Sequence, residues 1–398
     1  MVLMKLKQIV YLSLVGLLTF RCQITDRKEA ESEIEKKFLS AVSNQNEIKN
    51  ATLLVHSDKL DLHVSHSYGS VFNGKKEIPA VPLQPFHTAS IGKMFTSVLV
   101  LQEIERGKIN LDTKIIEILG DHFLKDLFVF GGTNHASEVT VKQLLNHTSG
   151  IADYFESTEE DQKKSNSVIT EISKNPEQFW TPTDLVEFTR KKQKAIAKPG
   201  EKFYYSDTGY ILLGLILEKL NKQSLEDLLK IKIFAPIHMN STYMHLRSQP
   251  ISKNHLPLSH MYLGNQEVTH FKSISADWAG GGLISNTEDL LKFQKALVSG
   301  QLISSKVYEE MKGSYQFHDG IRYGLGLMTV DYGDMLFLMK GTPPLYGHSG
   351  LLSTLCFYAP EYDAHIIANF GSTKHIDDAF EMMFHLMRIL KDVNGWKK

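Results

Sequence analysis

Apolar residues recur with two different periods along the chain, and these periods separate strand-like ends from a helical middle. Residues 51–68 alternate between apolar and polar side chains around a polar turn at 57–59, which predicts a β-hairpin. From residue 90 to about residue 244 the apolar spacing is mostly helical. Short strand-like segments return after about residue 270.

This order of elements predicts an α+β fold, in which an antiparallel sheet built from both ends of the chain is flanked by helices. A mostly helical domain is inserted between the two ends. We expect the sheet subdomain at about 45–85 and 270–398, and the helical subdomain at about 86–269. The later strands are predicted at 323–330, 335–339, 351–358 and 365–369.

Helices are predicted where apolar residues recur every three or four positions. The clearest case runs from Ile91 to Ile104 and stops before Gly107. Residues 156–180 are charged and poor in apolar side chains, which predicts a surface excursion that shapes substrate choice. Further helices are predicted at 139–145, 184–192, 210–220, 224–233, 287–298 and 377–393.

The first residues have the pattern of an export signal. Lys5 and Lys7 precede an apolar run at residues 9–20. A charged start followed by a short apolar segment is typical of a secretory leader, and this run is too short for a comfortable membrane span. An uncleaved anchor or a misassigned start codon is the alternative interpretation.

Cys22 directly follows the apolar run and resembles the acceptor cysteine of a bacterial lipoprotein. Phe20 and Arg21 depart from that pattern, because small residues are expected there. We therefore expect residues 1–22 to direct export to the periplasm or a membrane anchor, with lipidation at Cys22 as an option. Residues 23–44 are expected to form a charged tether and the start of a first helix.

Composition excludes several function classes. The 398 residues are 42% hydrophobic and carry a net charge of −1, without a basic stripe, so nucleic acid is not an expected partner. Two cysteines, Cys22 and Cys356, support neither a disulfide framework nor a zinc site, and no HExxH motif occurs. The glycine run at 280–282 fits no phosphate-binding loop and indicates tight backbone packing. No metal or cofactor is expected.

Ser90 and Lys93 lie at the start of the helix that residues 91–104 predict. Residues i and i+3 share a helix face, so the hydroxyl and the amine can touch. A serine becomes a good nucleophile when a base takes its proton, and a desolvated lysine can be that base. On this stretch alone, a capping serine and a surface lysine explain the pair equally well.

Two further polar motifs follow Ser90 along the chain. The first, at residues 203–210, reads FYYSDTGY and comes just after a Pro-Gly turn. The second, at residues 346–350, reads YGHSG and runs into an apolar strand.

In this order the motifs resemble those of the serine β-lactamase and penicillin-binding-protein superfamily, in the branch of class C β-lactamases, D,D-carboxypeptidases, D-aminopeptidases and related esterases. Ser90 to Lys93 looks like S-x-x-K, Tyr205 to Asp207 is similar to Y-x-N, and His348 to Gly350 is similar to the H-x-G form of K-T-G. The resemblance spans roughly residues 45–390. Further family-like stretches lie at 107–112, 144–151, 198–201, 233–236 and 281–285.

The resemblance implies a role for each matching residue. Ser90 would attack a carbonyl and form an acyl-enzyme, with Lys93 and Tyr205 as the base pair around it. Tyr204 is the rival for the tyrosine role. The backbone N–H groups of Ser90 and Leu351 would form the oxyanion hole.

The third motif would supply the substrate contacts. His348 would lie near Tyr205 and meet a substrate carboxylate, and Ser349 and Gly350 would line the substrate-binding strand. A second interpretation aligns residues 206–208 with the S-D-N motif of other branches, but the tyrosine-rich flank and the His348 form favour the first.

Asp207 departs from the family pattern, which has asparagine at this position. Asparagine offers a substrate amide both a donor and an acceptor, whereas an ionised aspartate offers acceptors and a negative charge. Asp207 would therefore disfavour carboxylate-bearing β-lactams and tolerate an amine. We expect weak β-lactamase activity at most.

The sequence thus predicts a metal-free serine hydrolase that acts on small amides or esters, of the D,D-peptidase, D-aminopeptidase or esterase type. Cell-wall peptides are candidate substrates. The alternative is a penicillin-binding-like sensor or binding protein that acylates slowly or not at all. A structural envelope protein is disfavoured by three motifs in order.

Overall fold

The computed structural model of the chain describes residues 24, 26–43, 48–155, 166–253, 256–313, 315–335 and 341–396. The predicted export leader and Cys22 lie outside these residues. Where the chain is described, it has the predicted α+β architecture, with helices flanking a large antiparallel sheet. In these same ranges, no helix is both long enough and apolar enough to cross a membrane.

Strands from both ends of the chain meet in one nine-stranded antiparallel sheet within the described ranges. The described residues form sixteen strands in all, nine of which belong to this sheet and the others to small sheets. In chain order they are β1 (Asn50–Ser57), β2 (Leu62–Phe72), β3 (Glu77–Pro79), β4 (Phe86–His87), β5 (Val129–Phe130), β6 (Thr133–Asn134), β7 (Tyr243–Met244), β8 (Tyr262–Leu263), β9 (Gln266–Glu267), β10 (Leu283–Ser285), β11 (Tyr315–His318), β12 (Ile321–Tyr323), β13 (Met328–Val330), β14 (Leu345–Gly350), β15 (Thr354–Ala359) and β16 (Ala364–Asn369). The sheet order is β11-β12-β13-β14-β15-β16-β1-β2-β3. The first hairpin therefore pairs with the last strand, and Thr52 lies opposite Asn369.

Four long helices organise the rest of the molecule. We name them the N-terminal helix (Arg27–Ser43), the serine helix (Gly92–Glu105), the aspartate helix (Asp207–Asn221) and the C-terminal helix (Ile376–Trp396). The other helices and single turns are Ala89–Ile91, Ile115–Leu119, Asp121–Leu124, Ala136–Glu138, Val141–Leu145, Val168–Lys174, Pro182–Lys192, Leu225–Leu229, Lys230–Phe234, Lys272–Asp277, Trp278–Gly281, Thr287–Val298, Ser305–Met311, Tyr332–Met335 and Pro360–Tyr362.

The central strands are buried on both faces, and their alternating side chains feed two separate cores. Leu54 of β1 and Ile367 of β16 point into the core shared with the serine and aspartate helices. Their neighbours Leu53 and Ile366 point into the core shared with the N- and C-terminal helices. Because successive strand residues face opposite sides, the sheet becomes the middle layer of three.

One predicted strand is two strands in the structure. Residues 323–330, expected to be continuous, divide between β12 and β13 around a tight turn. Gly326 in this turn has a φ of +78°, and a Cβ atom there would lie 1.9 Å from Ser97 Oγ. The turn therefore needs glycine because the serine helix approaches it closely. The strand predicted at 335–339 is also wrong at Met335, which ends a short helix, while residues 336–340 lie outside the described ranges.

The described part of the predicted surface excursion, residues 166–180, lies only partly on the surface. Residues 156–165 lie outside the described ranges. Val168 and Ile172, on the helix Val168–Lys174, are buried in the core of the serine helix. Two apolar residues a helical turn apart anchor this charged segment, a signal that the low overall hydrophobicity of the stretch conceals.

The ring of Phe95 fixes the serine helix to the rest of the helical layer. It is fully buried and stacks on Phe293 with a centroid distance of 3.7 Å. We expect Phe95→Ala to lower the free energy of unfolding by about 3–5 kcal/mol, because it leaves a cavity in a packed core. Urea unfolding followed by circular dichroism measures the change.

Phe72→Ala is the matched control, since Phe72 is 43% exposed on β2. That variant should change the free energy of unfolding by less than about 1 kcal/mol. Equal losses in the two variants would contradict the placement of Phe95 in the core.

Candidate active site

Ser90 lies on a single helical turn, Ala89–Ile91, that leads directly into the serine helix. Ala89 adopts a left-handed conformation with a φ of +48°, which is uncommon for a residue with a Cβ atom. A Cβ atom on Gly350 would lie 2.8 Å from the Ala89 Cβ. The end of β14 therefore packs closely against the turn that carries Ser90. The backbone of Gly281 packs against the same turn, since a Cβ atom there would lie 2.4 Å from the Ala89 carbonyl oxygen.

Lys93 is completely buried and connects three segments of the chain. Its ammonium group donates to Ser90 Oγ at 3.1 Å and to the Gly280 carbonyl oxygen at 2.8 Å. It also forms an ion pair with Asp207. The glycine run at 280–282 thus serves backbone packing, as the sequence predicted, since a Cβ atom on Gly280 would lie 2.6 Å from Asp207 Oδ1.

The charge of Asp207 determines the protonation of Lys93. Burial lowers the pKa of Lys93, but the carboxylate of Asp207, with smaller contributions from Tyr205 and Asp277, more than offsets this effect. The pKa of Lys93 therefore lies above its ordinary value, and the side chain is an ammonium at neutral pH. The simplest expectation for Ser90 and Lys93 was a neutral lysine that acts as the base. The carboxylate of Asp207 instead stabilises the charged form of Lys93.

Asp207 begins the aspartate helix, although the sequence placed it in a loop before a helix that starts at residue 210. Its N–H group donates to Asp153 Oδ1 at 2.9 Å, and the preceding Ser206 N–H donates to His147 Nδ1 at 3.1 Å. These two bonds fix the start of the helix and direct the Asp207 side chain toward Lys93. Helix propensity alone could not locate this start, because the capping groups come from a distant loop.

Tyr205 has its ring against Lys93, with the ammonium nitrogen 4.9 Å from the ring centroid. Its hydroxyl oxygen is buried and has no hydrogen-bond partner among the described residues. Burial raises the pKa of Tyr205 well above its ordinary value, although nearby Lys93 and Ser90 act in the opposite direction. Tyr204 also lines the cavity, but the contact with Lys93 favours Tyr205 for the tyrosine role.

His348 lies on β14, close to Tyr205, with a ring centroid distance of 6.5 Å. It is completely buried, and burial together with the charge of Lys93 lowers its pKa to about 3. The neutral ring donates from Nδ1 to the Ser349 carbonyl oxygen and accepts at Nε2 from the Tyr323 hydroxyl. His348 is thus an uncharged residue behind the cavity wall, which does not favour its predicted contact with a substrate carboxylate.

A cavity of about 430 Å³ opens next to these residues. Ser90, Tyr205 and Asp207 line it together with Ser349, Gly350 and Leu351. The predicted nucleophile, oxyanion and substrate-binding residues are therefore brought to one cavity, while Lys93 and His348 support it from behind. In the part of the chain that the structure describes, no group of three or more His, Cys, Asp or Glu side chains could hold a metal ion.

Several residues of the site carried no recognisable sequence signal. Asp153 and Asp277 line the cavity but belong to none of the three motifs. The Tyr323 hydroxyl forms a hydrogen bond with His348, and Tyr323 is the first residue of the segment 323–330, where the strand prediction failed. The His147 ring packs against the Tyr205 ring at a tilt of 34°, with a centroid distance of 4.2 Å, and only the place of His147 in a family-like stretch could have suggested this contact.

Comparison with known proteins gives the family. The Beta-lactamase family model matches residues 45–382. A penicillin-binding protein of Bacillus subtilis (strain 168) is 28% identical over 322 residues, which are 76% of this chain and 62% of that protein. This chain therefore spans less than two thirds of that relative's length.

Solved structures share the fold. A D-amino acid amidase from Ochrobactrum anthropi SV3, in complex with L-phenylalanine amide, superposes with a TM-score of 0.72 at 21% identity, covering 92% of this chain and 100% of that one. A D-stereospecific amidohydrolase from Streptomyces sp. gives 0.71 at 23% identity, covering 90% and 99%. At these identities the likeness shows the fold. Since the family match extends over most of the described sheet and helices, this chain belongs to the beta-lactamase family.

Proposed function

We propose that this protein is a serine hydrolase that cleaves small amides or esters through an acyl-enzyme on Ser90. The observation that carries the proposal is the 3.1 Å hydrogen bond from the Lys93 ammonium to Ser90 Oγ, at the edge of a cavity of about 430 Å³. A serine with a buried amine at this distance, beside a cavity, has the geometry of an activated nucleophile.

The reaction begins from the form in which Lys93 has lost its extra proton. Lys93 takes the proton of Ser90 while Oγ attacks the substrate carbonyl, and the backbone N–H groups of Ser90 and Leu351 stabilise the oxyanion. Tyr205, protonated because its pKa is raised, gives its proton to the leaving alcohol or amine and recovers one from Lys93. Water then hydrolyses the acyl-enzyme.

The size and lining of the cavity support small substrates. Its walls are mostly apolar beyond the motif residues, with Phe155, Ile172, Met261, Val268 and Phe317 among them. We propose acyl donors of the D,D-peptidase, D-aminopeptidase or esterase type. The similar folds of the D-amino acid amidase and the D-stereospecific amidohydrolase support the amide class. Export of the protein and its attachment at Cys22 stay proposals from the leader sequence, as does a cell-wall peptide as substrate.

A slow penicillin-binding-like sensor is the second candidate, and one observation favours it. The ion pair with Asp207 keeps Lys93 protonated, so the reactive form is scarce at neutral pH. Labelling and turnover separate the two candidates.

We expect Ser90→Ala to abolish labelling by a fluorescent penicillin or a fluorophosphonate, and to reduce turnover of a p-nitrophenyl ester by about 10⁴-fold or more. The control is Ser299→Ala, whose serine is exposed at the end of the helix Thr287–Val298. Wild-type protein that no probe labels would favour the sensor. Label that survives in Ser90→Ala would place the nucleophile elsewhere.

We expect Asp207→Asn to shift the rising limb of the pH–rate profile, which reports the loss of a proton from Lys93, to lower pH. Loss of the carboxylate removes the main effect that raises the pKa of Lys93, and burial then lowers it. Neutral Lys93 should appear at lower pH, moving the rising limb of kcat/KM down by about one unit or more, or about 1.4 kcal/mol per unit. Ester hydrolysis is measured from pH 6 to 10, where the wild-type kcat/KM is still rising with pH because the pKa of Lys93 lies above its ordinary value. The rising line of the variant should be displaced to lower pH.

The control for this shift is Asp112→Asn, which removes an exposed carboxylate that does not line the cavity. Its profile should match that of the wild type. An unchanged limb in Asp207→Asn would show that Asp207 does not set the protonation of Lys93.

We expect the wild-type protein to hydrolyse a chromogenic cephalosporin slowly or not at all. The ionised Asp207 on the cavity wall repels the carboxylate of the β-lactam and offers its amide no donor. Steady-state assay of purified protein with nitrocefin checks this, alongside the ester. Turnover of nitrocefin as fast as that of the ester would contradict this prediction.

A further inference from the structure

The cavity beside Ser90 is lined by acidic groups. Asp153, Asp207 and Asp277 all lie in its wall, and no lysine or arginine does so in the part of the chain that the structure describes. Lys93 is completely buried behind the wall and already paired with Asp207. Such a cavity attracts cations and repels anions.

Two of the three carboxylates are bound to protein partners. Asp207 forms the ion pair with Lys93. Asp153 accepts hydrogen bonds from the N–H groups of Asp207 and Phe155, at 2.9 and 3.2 Å. Each of these carboxylates therefore has a structural task that is independent of a ligand.

Asp277 differs from the other two. No hydrogen bond to its carboxylate occurs among the described residues, and the nearest basic atom is His87 Nδ1, 3.9 Å from Asp277 Oδ2. This nitrogen accepts a hydrogen bond from the Ala89 N–H, so it carries no proton that could neutralise the carboxylate. Asp277 keeps 14% of its side chain exposed, and it lines the cavity.

His87 is a buried side chain that lines the cavity, and one of its two ring nitrogens lacks a hydrogen-bond partner among the described residues. It is 3% exposed, and burial lowers its pKa to about 3, so the ring is neutral. Because Nδ1 is an acceptor, the proton lies on Nε2, which has no partner among the described residues. Among the described residues, the carboxylate of Asp277 is thus an acceptor without a hydrogen-bond partner, and the neutral His87 ring beside it supplies no counter-charge.

The position of Asp277 places it close to the nucleophile. A Cβ atom on Gly281 would lie 2.4 Å from the Ala89 carbonyl oxygen and 2.9 Å from Asp277 Oδ2. The carboxylate therefore lies beside the residue that precedes Ser90 in the chain. A group bound to it would be near a carbonyl under attack by Ser90.

We propose that Asp277 binds a protonated amine of the substrate, so that the preferred acyl donors are amides or esters with a free ammonium group near the scissile carbonyl. This inference rests on the proposed function of the same cavity. The apolar wall around Met261, Val268 and Phe317 receives the side chain of the acyl group.

The physical reason is compensation of a buried charge. Burial, with the charge of Asp207 added, raises the pKa of Asp277 to about 7. The charge of Lys93 lowers the pKa of Asp277 only in part, since Lys93 is paired with Asp207. An ammonium ligand supplies a direct counter-charge, and a carboxylate ligand adds a fourth negative group to the wall. Recognition through Asp277 therefore selects both for an amine and against an acid.

Binding to the Ser90→Ala variant tests the proposal without requiring turnover. Each enantiomer of phenylalanine amide is titrated calorimetrically, with 3-phenylpropionamide as the analogue that lacks the amine. We expect at least one enantiomer to bind about tenfold or more tighter than the neutral analogue, the size expected of a charge-assisted hydrogen bond. Equal affinity of the charged and neutral amides would overturn the proposal.

The second test adds Asp277→Asn to the same background, with Asp112→Asn as the control. The preference for the ammonium ligand should fall to near unity with Asp277→Asn and persist with Asp112→Asn. A preference that survives Asp277→Asn in a folded variant would overturn the assignment of this residue. The comparison within Ser90→Ala alone remains valid if Asp277→Asn does not fold.

Turnover separates this inference from the proposed function. The wild-type protein and Asp277→Asn are assayed with phenylalanine p-nitroanilide and 3-phenylpropionyl p-nitroanilide, and the ratio of the two kcat/KM values is compared. The ratio cancels any loss common to both substrates and should fall about tenfold or more in the variant, as expected for one charge-assisted hydrogen bond. Amine-selective binding without turnover of either substrate would reject the hydrolase and retain the amine site, whereas turnover with an unchanged ratio would reject the amine site alone.

Discussion

The buried ion pair between Lys93 and Asp207 is the constraint on which the site depends. Lys93 has no exposed surface, and a charge in that position is tolerated only with a partner, since leaving one charge unpaired costs about 3–5 kcal/mol. The pair joins the serine helix to the aspartate helix, and the Gly280 carbonyl oxygen adds the third segment. Three stretches far apart in the chain are thereby fixed around Ser90 Oγ.

The histidines around this pair contribute shape and hydrogen bonds rather than charge. Burial lowers the pKa values of His87, His147 and His348, and the positive charge of Lys93 lowers the last two further. The electrostatics of the cavity are therefore set by one ammonium and its carboxylates. An aspartate at residue 207, where the family pattern has asparagine, therefore changes the electrostatics of the site more than it would on a solvated surface, where water screens such a charge.

Local pattern was sufficient for much of the fold and for the identity of the motifs. Alternation predicted the hairpin of β1 and β2, and helical spacing predicted the helix behind Ser90. The pattern failed where contacts between distant segments override it, as in the turn of Gly326 against Ser97 and in the buried side of the helix Val168–Lys174. In both cases the deciding neighbour is far away in the chain.

The order of the elements, the spacing of Ser90 and Lys93 on one helix face, and the aspartate at residue 207 can all be read from the amino-acid sequence. Those properties depend on neighbours within a few residues. The packing of distant segments pairs Asp207 with Lys93, buries His348 as a neutral ring behind the cavity wall, and leaves Asp277 near Ala89 without a hydrogen-bond partner among the described residues. Burial and charge pairing arise when distant segments pack together, so the spacing of nearby residues in the sequence does not reveal them.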